Sequence, residues 1–329
     1  MLLVFYFMIH RIDKQMITIL FGAGASYGSE EKAGIPTLPP LGKDLFGFLD
    51  DRYGCFSTIN DNIKKVFVED GFEAGMANVS NDSLILYPIQ RAMACFLSDF
   101  DVTTENAYFR LFRQIKLLIP NITLATLNYD LLIERALERN NIFYDYNDNR
   151  NGRGCGLIKL HGSSNFIPKI PNGNKIVIGH ASGLNTVMDG LETHSLATYQ
   201  EIFDWCHNPD NSSLAPILSV YNHEKQNLFN DSIIKMFQSK YKERILESNL
   251  IIVIGVEYLS HDKHVWEPIE QSNAQIVCVN PYPRSLTEWK KCRKDRRVKI
   301  IEKGFYNVVN QLGCLIRCFL KKSINHSLN

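Results

Sequence analysis

Short apolar runs, rich in β-branched residues and separated by long stretches of helical spacing, constrain this chain more than any other feature. They occur at residues 16–21, 122–126, 156–160, 175–178, 250–254 and 275–279. Runs of this length and composition fit strands buried on both faces, which in turn requires a parallel sheet covered by helices on either side. The fold class expected is therefore α/β, a Rossmann-like parallel sheet flanked by helices. Between residues 43 and 118 helical spacing dominates and no convincing strand interrupts it, so a mainly helical subdomain is expected to be inserted in a single domain spanning 1–329. Residues 298–301 fit a last edge strand and 305–320 a closing helix. Residues 231–248 fit a helix capped by Asp231, and residues 179–213 a loop-rich segment.

Three of the strand runs end in residues that carry chemistry. The first runs into Phe21-Gly22-Ala23-Gly24-Ala25-Ser26, the second into Thr126-Leu127-Asn128-Tyr129-Asp130, and the third into Lys159-Leu160-His161-Gly162-Ser163. In an open α/β sheet, strand ends converge on one crevice, so three segments far apart in the chain can meet around one ligand. Gly22, Gly24 and Gly28 depart by one residue from the dinucleotide fingerprint, yet glycines there let a backbone approach a diphosphate, and Ser26 adds a donor. A tight strand-to-helix turn accounts for the same glycines equally well. Asn128 and Asp130 are short polar groups at a buried strand end and need partners; for Asp130, helix capping ahead of residues 131–134 is the alternative. His161 can act as a base near neutral pH, and Gly162 leaves room for a ligand beside its ring. A hydrogen-bonded structural histidine is the plainer reading of His161 taken alone. His261, Asp262 and His264 lie close together after another strand; metal binding by the trio is one reading, and a solvated helix start capped by Asp262 is the plainer one. The prolines of residues 34–40 (Gly34-Ile35-Pro36-Thr37-Leu38-Pro39-Pro40) exclude a helix and predict a loop over the ligand.

Composition narrows the partners. With a formal charge of +1, the chain offers no evident nucleic-acid site, and the basic run at residues 290–297 reads as a solvated helix face. The eight cysteines include no Cys-x-x-Cys pair, which predicts reduced thiols, a cytoplasmic protein and no zinc site. The first nine residues are almost wholly apolar but carry no basic leader and are too short to span a bilayer; no signal peptide and no membrane association are expected.

The combination resembles the sirtuin superfamily, and within it the bacterial sirtuin-like NAD hydrolases of antiphage defence, over about residues 17–280. The glycine turn and Gly34-Ile35-Pro36 resemble the family's GAG-x-S and GIP elements. Thr126-x-Asn128-x-Asp130 resembles its T-Q-N-x-D motif with Leu127 in place of glutamine, and His161-Gly162 its catalytic His-Gly. Gly255 stands where the family has a G-T-S turn, and Val279-Asn280 resembles its ribose-contacting Val-Asn. The resemblance implies a sirtuin-like fold with Asn128 and His161 as catalytic residues. It implies NAD contacts from Gly22, Ala23, Gly24, Ser26, Pro36, Asp130, Gly255 and Asn280, with Asp130 holding the nicotinamide carboxamide. Deacylating sirtuins carry a four-cysteine zinc module and Asp-Phe-Arg after the GIP element; this chain has no cysteine pairs and Thr37-Leu38-Pro39. The activity implied is hydrolysis of NAD to nicotinamide and ADP-ribose, with NAD as substrate and no metal. Protein deacylation, ADP-ribosyl transfer and non-catalytic sensing of NAD or ADP-ribose are the alternatives. Because constant NAD loss is toxic, the resemblance further implies abortive infection controlled by a homo-oligomer or by a separately encoded defence partner, such as a helicase-like ATPase or a nucleotide-processing protein.

Overall fold

A computed structural model of the chain describes residues 15–31, 38–79, 82–148, 154–170, 190–219, 230–293 and 297–326, with side chains to residue 321. The expectations for residues 1–9 and for a strand at 175–178 fall outside this set.

The centre is a seven-stranded parallel sheet of β1 (Ile17–Phe21), β2 (Ile122–Thr126), β3 (Tyr144–Asp145), β4 (Cys155–Lys159), β7 (Leu250–Ile254), β8 (Gln275–Val279) and β9 (Val298–Ile301), in the order β3-β4-β2-β1-β7-β8-β9. A short antiparallel pair, β5 (Phe166–Lys169) and β6 (Glu192–Ser195), stands apart from it. With the two-residue β3 set aside, this order is that of a doubly wound dinucleotide-binding sheet, and it reverses between β1 and β7.

Period-2 alternation splits each strand between two cores. Ile17, Ile19, Phe21, Leu124 and Ile252 join one apolar cluster, while Leu20, Ala125, Ile158, Ile251 and Val253 join the other. Helices α9 (Asp231–Glu247), α10 (Lys263–Gln271) and α11 (Arg284–Cys292) cover the second face through Phe237, Tyr241, Trp266 and Trp289. The first face is covered by α6 (Ala107–Ile115), α7 (Leu132–Arg139) and α12 (Phe305–His326). Phe21 meets Tyr108 of α6 and Phe305 of α12 at ring centroid distances of 5.0 and 5.8 Å.

Between β1 and β2 every regular element among the described residues is helical, with α2 (Gly42–Tyr53), α3 (Asp61–Glu69), α4 (Phe72–Val79) and α5 (Ser83–Ser98) leading through turns and loops to α6. In its aromatic nucleus Phe46 stacks on Phe67, and Phe56 and Phe72 meet Phe67 edge-on. Phe56, Phe67 and Phe72 belong to the same continuous core cluster as the sheet's first face, and Phe46 packs against it.

Some expectations are corrected in detail. The strand before His161 is shifted by one residue, to Cys155–Lys159. Asn230, held left-handed at φ 46°, takes the N-cap position of α9, and Asp231 lies in its first turn. The segment 179–213, read as loop-rich, contains α8 (Tyr199–His207), closed by a full capping box in which Thr198 and Glu201 satisfy each other's backbone N–H groups. The spacing Thr198-x-x-Glu201 carries that signal in the sequence. Among the described residues no helix is long and apolar enough to cross a membrane.

Candidate functional site

The ends of β1, β2 and β4 are in register: Phe21 pairs with Thr126, and Thr126 with Lys159. The ladder continues one step further, with Leu127 N–H donating to Phe21 O at 3.0 Å and Leu160 N–H to Thr126 O at 3.0 Å. The glycine turn, the Asn-x-Asp segment and the His-Gly turn therefore leave the sheet side by side at its carboxyl edge. They do so beside the β1/β7 reversal, where an open α/β sheet forms its ligand crevice.

The glycines have a packing cause. Gly22 N–H donates to Ile254 O and Gly24 N–H to Gly255 O, at 2.9 and 3.0 Å. A Cβ on Gly22 would stand 2.6 Å from Gly255 O, and one on Gly255 would stand 2.1 Å from Ala25 N. Gly255 is moreover left-handed at φ 65°. Two turns can touch backbone to backbone only because neither carries a side chain. The five-residue helix α1 (Ala23–Tyr27) follows directly, with Ala23 exposed and Ala25 and Ser26 buried.

Asn128 is held from three sides. Its backbone N–H donates to Thr126 Oγ1 at 3.0 Å, and its side-chain Nδ2 donates to Gly22 O at 3.0 Å and to Ser26 Oγ at 2.9 Å. The Ser26 hydroxyl also meets Tyr108 Oη at 3.1 Å inside the core. Ser26, expected from the sequence to donate to a diphosphate, is buried and orients Asn128. These contacts turn the amide nitrogen toward the glycine turn and the oxygen away from it.

Behind Asn128 lies a buried charge network. Lys159 and Glu134 form an ion pair at 3.0 Å with side chains 0% and 3% exposed. Lys159 Nζ also donates to Asp130 O at 2.7 Å, and Tyr146 Oη donates to Glu134 Oε1 at 2.9 Å. The pair ties the segment before His161 to the segment after Asn128. Sequence reasoning missed Lys159, Glu134, Tyr108 and Tyr146. A lysine closing an otherwise apolar buried strand was the available signal, because such a cation requires a buried partner.

Asp130 is buried, and its Oδ1 accepts the Leu132 N–H at 3.1 Å; the N-cap position of α7 that was expected for Asp130 is held by Leu131, and Asp130 satisfies the first helical donor from one residue ahead of it. Burial raises its carboxyl above the ordinary value, with Lys159, Ser26 and the Leu132 N–H opposing. A carboxyl with a raised folded pKa favours the fold below its unfolded value of about 3.9, and that gain is lost as pH rises through the folded pKa. Asp130→Asn is expected to flatten the stability profile from about pH 4 upward. Urea denaturation of both proteins across that range checks this, and an unchanged slope would refute it.

His161 begins a turn that Gly162 makes possible. Gly162 has φ 84°, and a Cβ there would stand 2.0 Å from Ile217 O. The space read from the sequence as room for a ligand is thus filled by the backbone of the 217–219 segment. That segment is bound by Ser163 N–H to Ile217 O and by Ser219 N–H to His161 O, at 3.1 and 2.8 Å, and Tyr129 Oη closes it on Ser219 O at 2.7 Å. Gly162→Ala is expected to destabilise the protein by more than about 2 kcal/mol through left-handed strain and the backbone clash. Chemical denaturation measures it, and a loss below half that value would contradict the geometry.

On the ring side, His161 Nε2 lies 2.8 Å from Nε2 of His264 in the first turn of α10. His264, read as part of a solvated helix start, is instead half-buried against His161, and Asp262, though at the N-cap position, makes no side-chain cap. Asn280 follows β8, accepts the Tyr282 N–H at 2.8 Å and donates to Val256 O at 3.4 Å. Pro36 lies outside the described residues. Among those residues, no three His, Cys, Asp or Glu side chains converge as a metal centre requires.

No family model and no curated protein matches the sequence. Among solved structures the chain is similar to a Sir2 homologue in complex with NAD, at 16% identity and TM-score 0.48 over 93% of this chain and 90% of that one. It is also similar to a mutant Sir2 homologue in complex with ADP-ribose, at 16% identity and TM-score 0.45 over 93% of both chains. With TM-scores below 0.5, the roles of individual residues rest on the geometry of this chain.

Proposed function

We propose that this protein cleaves the nicotinamide–ribose bond of NAD with water, giving nicotinamide and ADP-ribose. One observation carries the reading: three segments whose residues suit this chemistry leave adjacent, in-register strands beside the point where the sheet order reverses. An extended dinucleotide suits such a crevice, and the residues present fit it. Asn128 has an orientation fixed by Gly22 and Ser26. His161 is half-buried and keeps an imidazole partner.

In the proposed mechanism, loss of nicotinamide leaves positive charge on the ribose carbon. The fixed amide of Asn128 positions the ribose or the attacking water, and His161 takes a proton from that water or from a ribose hydroxyl. Asp130 offers hydrogen bonds to the carboxamide. Gly22, Ala23, Gly24, Pro36, Gly255 and Asn280 are proposed to lie along the diphosphate and adenosine half, whose binding supports orientation at the reacting carbon. The sequence motifs that resemble the sirtuin-like NAD hydrolases, and the missing cysteine pairs, favour hydrolysis over deacylation. The antiphage role, the homo-oligomer and control by a defence partner belong to the same proposal.

Incubation of purified protein with NAD and an acetylated peptide tests it. Free ADP-ribose and nicotinamide with intact peptide is the expected result, weak for the protein alone and raised by assembly or a co-expressed neighbour. Deacylated peptide, or binding without turnover, would overturn it.

A further inference from the structure

We infer that His264 is a positioning residue for His161 and that the two imidazoles share one proton, an inference that rests on the proposed NAD cleavage for its catalytic meaning. The Nε2 atoms stand 2.8 Å apart with the rings tilted by 46° and their centroids 5.1 Å apart, an edge-to-edge hydrogen bond rather than a stack. At that separation one Nε2 carries a proton and the other is bare, since two N–H groups would repel and two lone pairs would have nothing between them.

The fold indicates which ring donates. His264 stands in the first turn of the nine-residue helix α10, where the helix dipole disfavours positive charge. His161 follows β4 in a turn, with no helix terminus of its own. The arrangement competent for catalysis therefore has His161 donating from Nε2 to a bare His264 Nε2, with His161 Nδ1 as the basic atom. When His161 accepts a proton, the O–H bond of the water or ribose hydroxyl breaks and an N–H bond forms at Nδ1. The resulting imidazolium still donates to His264, and this charge-assisted hydrogen bond is stronger than the neutral one it replaces. His264 gains no net proton; it fixes the tautomer and orientation of His161 and stabilises its charged form. The carboxylate partner of a catalytic histidine does the same work in a serine hydrolase.

The test uses the full chain and the variants His264→Phe, His264→Gln and His161→Ala, each first shown by its thermal melt to be folded. In NAD hydrolysis, His264→Phe should lower kcat about tenfold to a hundredfold with KM within about twofold, as expected for a lost hydrogen bond to a charged group. His264→Gln offers a carbonyl acceptor in the same place and should recover part of the rate. Proton NMR of the folded protein without NAD should show a strongly deshielded imidazole N–H that is absent from His161→Ala and from His264→Phe. Wild-type kcat and KM in His264→Phe, or survival of that proton signal in His264→Phe, would overturn the inference. Should the wild type not cleave NAD, the functional reading falls by itself, while the NMR measurement still decides whether the two rings share a proton.

Discussion

His161→Ala is expected to lower NAD cleavage by two orders of magnitude or more while leaving the fold intact, and Asn128→Ala to do the same at a measurable cost in stability. The two differ because the structure uses them differently. His161 is half-buried in a turn, and the alanine variant keeps the backbone bonds that hold that turn to Ser219. Loss of a positioned acid–base group removes about 10²–10⁴-fold in rate. Asn128 is buried, and its amide bridges Gly22 O and Ser26 Oγ. Truncation removes one of the two donors to Gly22 O, which keeps the Ala25 N–H, and one partner of Ser26, which keeps Tyr108, at about 0.5–1.5 kcal/mol for each lost bond. Release of nicotinamide, followed by chromatography at saturating and limiting NAD, separates kcat from kcat/KM, and a parallel urea titration supplies the stability. A folded His161→Ala protein that turns over NAD at the wild-type rate would remove His161 from the mechanism.

The second large effect concerns stability. Lys159→Met is expected to destabilise the protein by about 3–5 kcal/mol, because it leaves Glu134 charged and buried without its cation. Glu134 already has one carboxylate oxygen, Oε2, without a hydrogen-bond partner, so little remains to compensate. Glu134→Met alone should cost a similar amount. The double variant should recover most of the loss, since a buried pair exchanged for apolar side chains of like size is often neutral or stabilising. Denaturation of the three variants closes a double-mutant cycle. Additive losses would mean that the pair does not act as a unit. Because Lys159 also donates to Asp130 O, the double variant should bind NAD less well than its stability suggests, a difference calorimetry can read.

Six of the seven sheet strands, their parallel arrangement and the mainly helical stretch between β1 and β2 were legible because buried parallel strands require continuous apolar runs, and the long intervals between them leave room only for crossover connections; the two-residue β3 and the short pair β5 and β6 carry no such run and were not legible. The motifs at the strand ends were legible as residue types. Their neighbours were not. Hydrogen bonds such as Ser26 to Tyr108, or His161 to His264, join residues 82 and 103 positions apart, and no local pattern marks them. The same limit explains Gly162: in the sequence a glycine after histidine reads as room for a ligand, and only the packed 217–219 segment reveals that the space is taken by the carbonyl of Ile217. The sequence by itself determined which long apolar runs are the buried central strands and which polar residues stand at their ends, because periodicity and composition are local consequences of burial. The tertiary structure alone decided how those residues are occupied: Gly22 and Gly24 against Gly255, Ser26 behind Asn128, Lys159 on Glu134, and His264 on His161. Each of these depends on sheet order and register, which place distant residues within a hydrogen bond of one another.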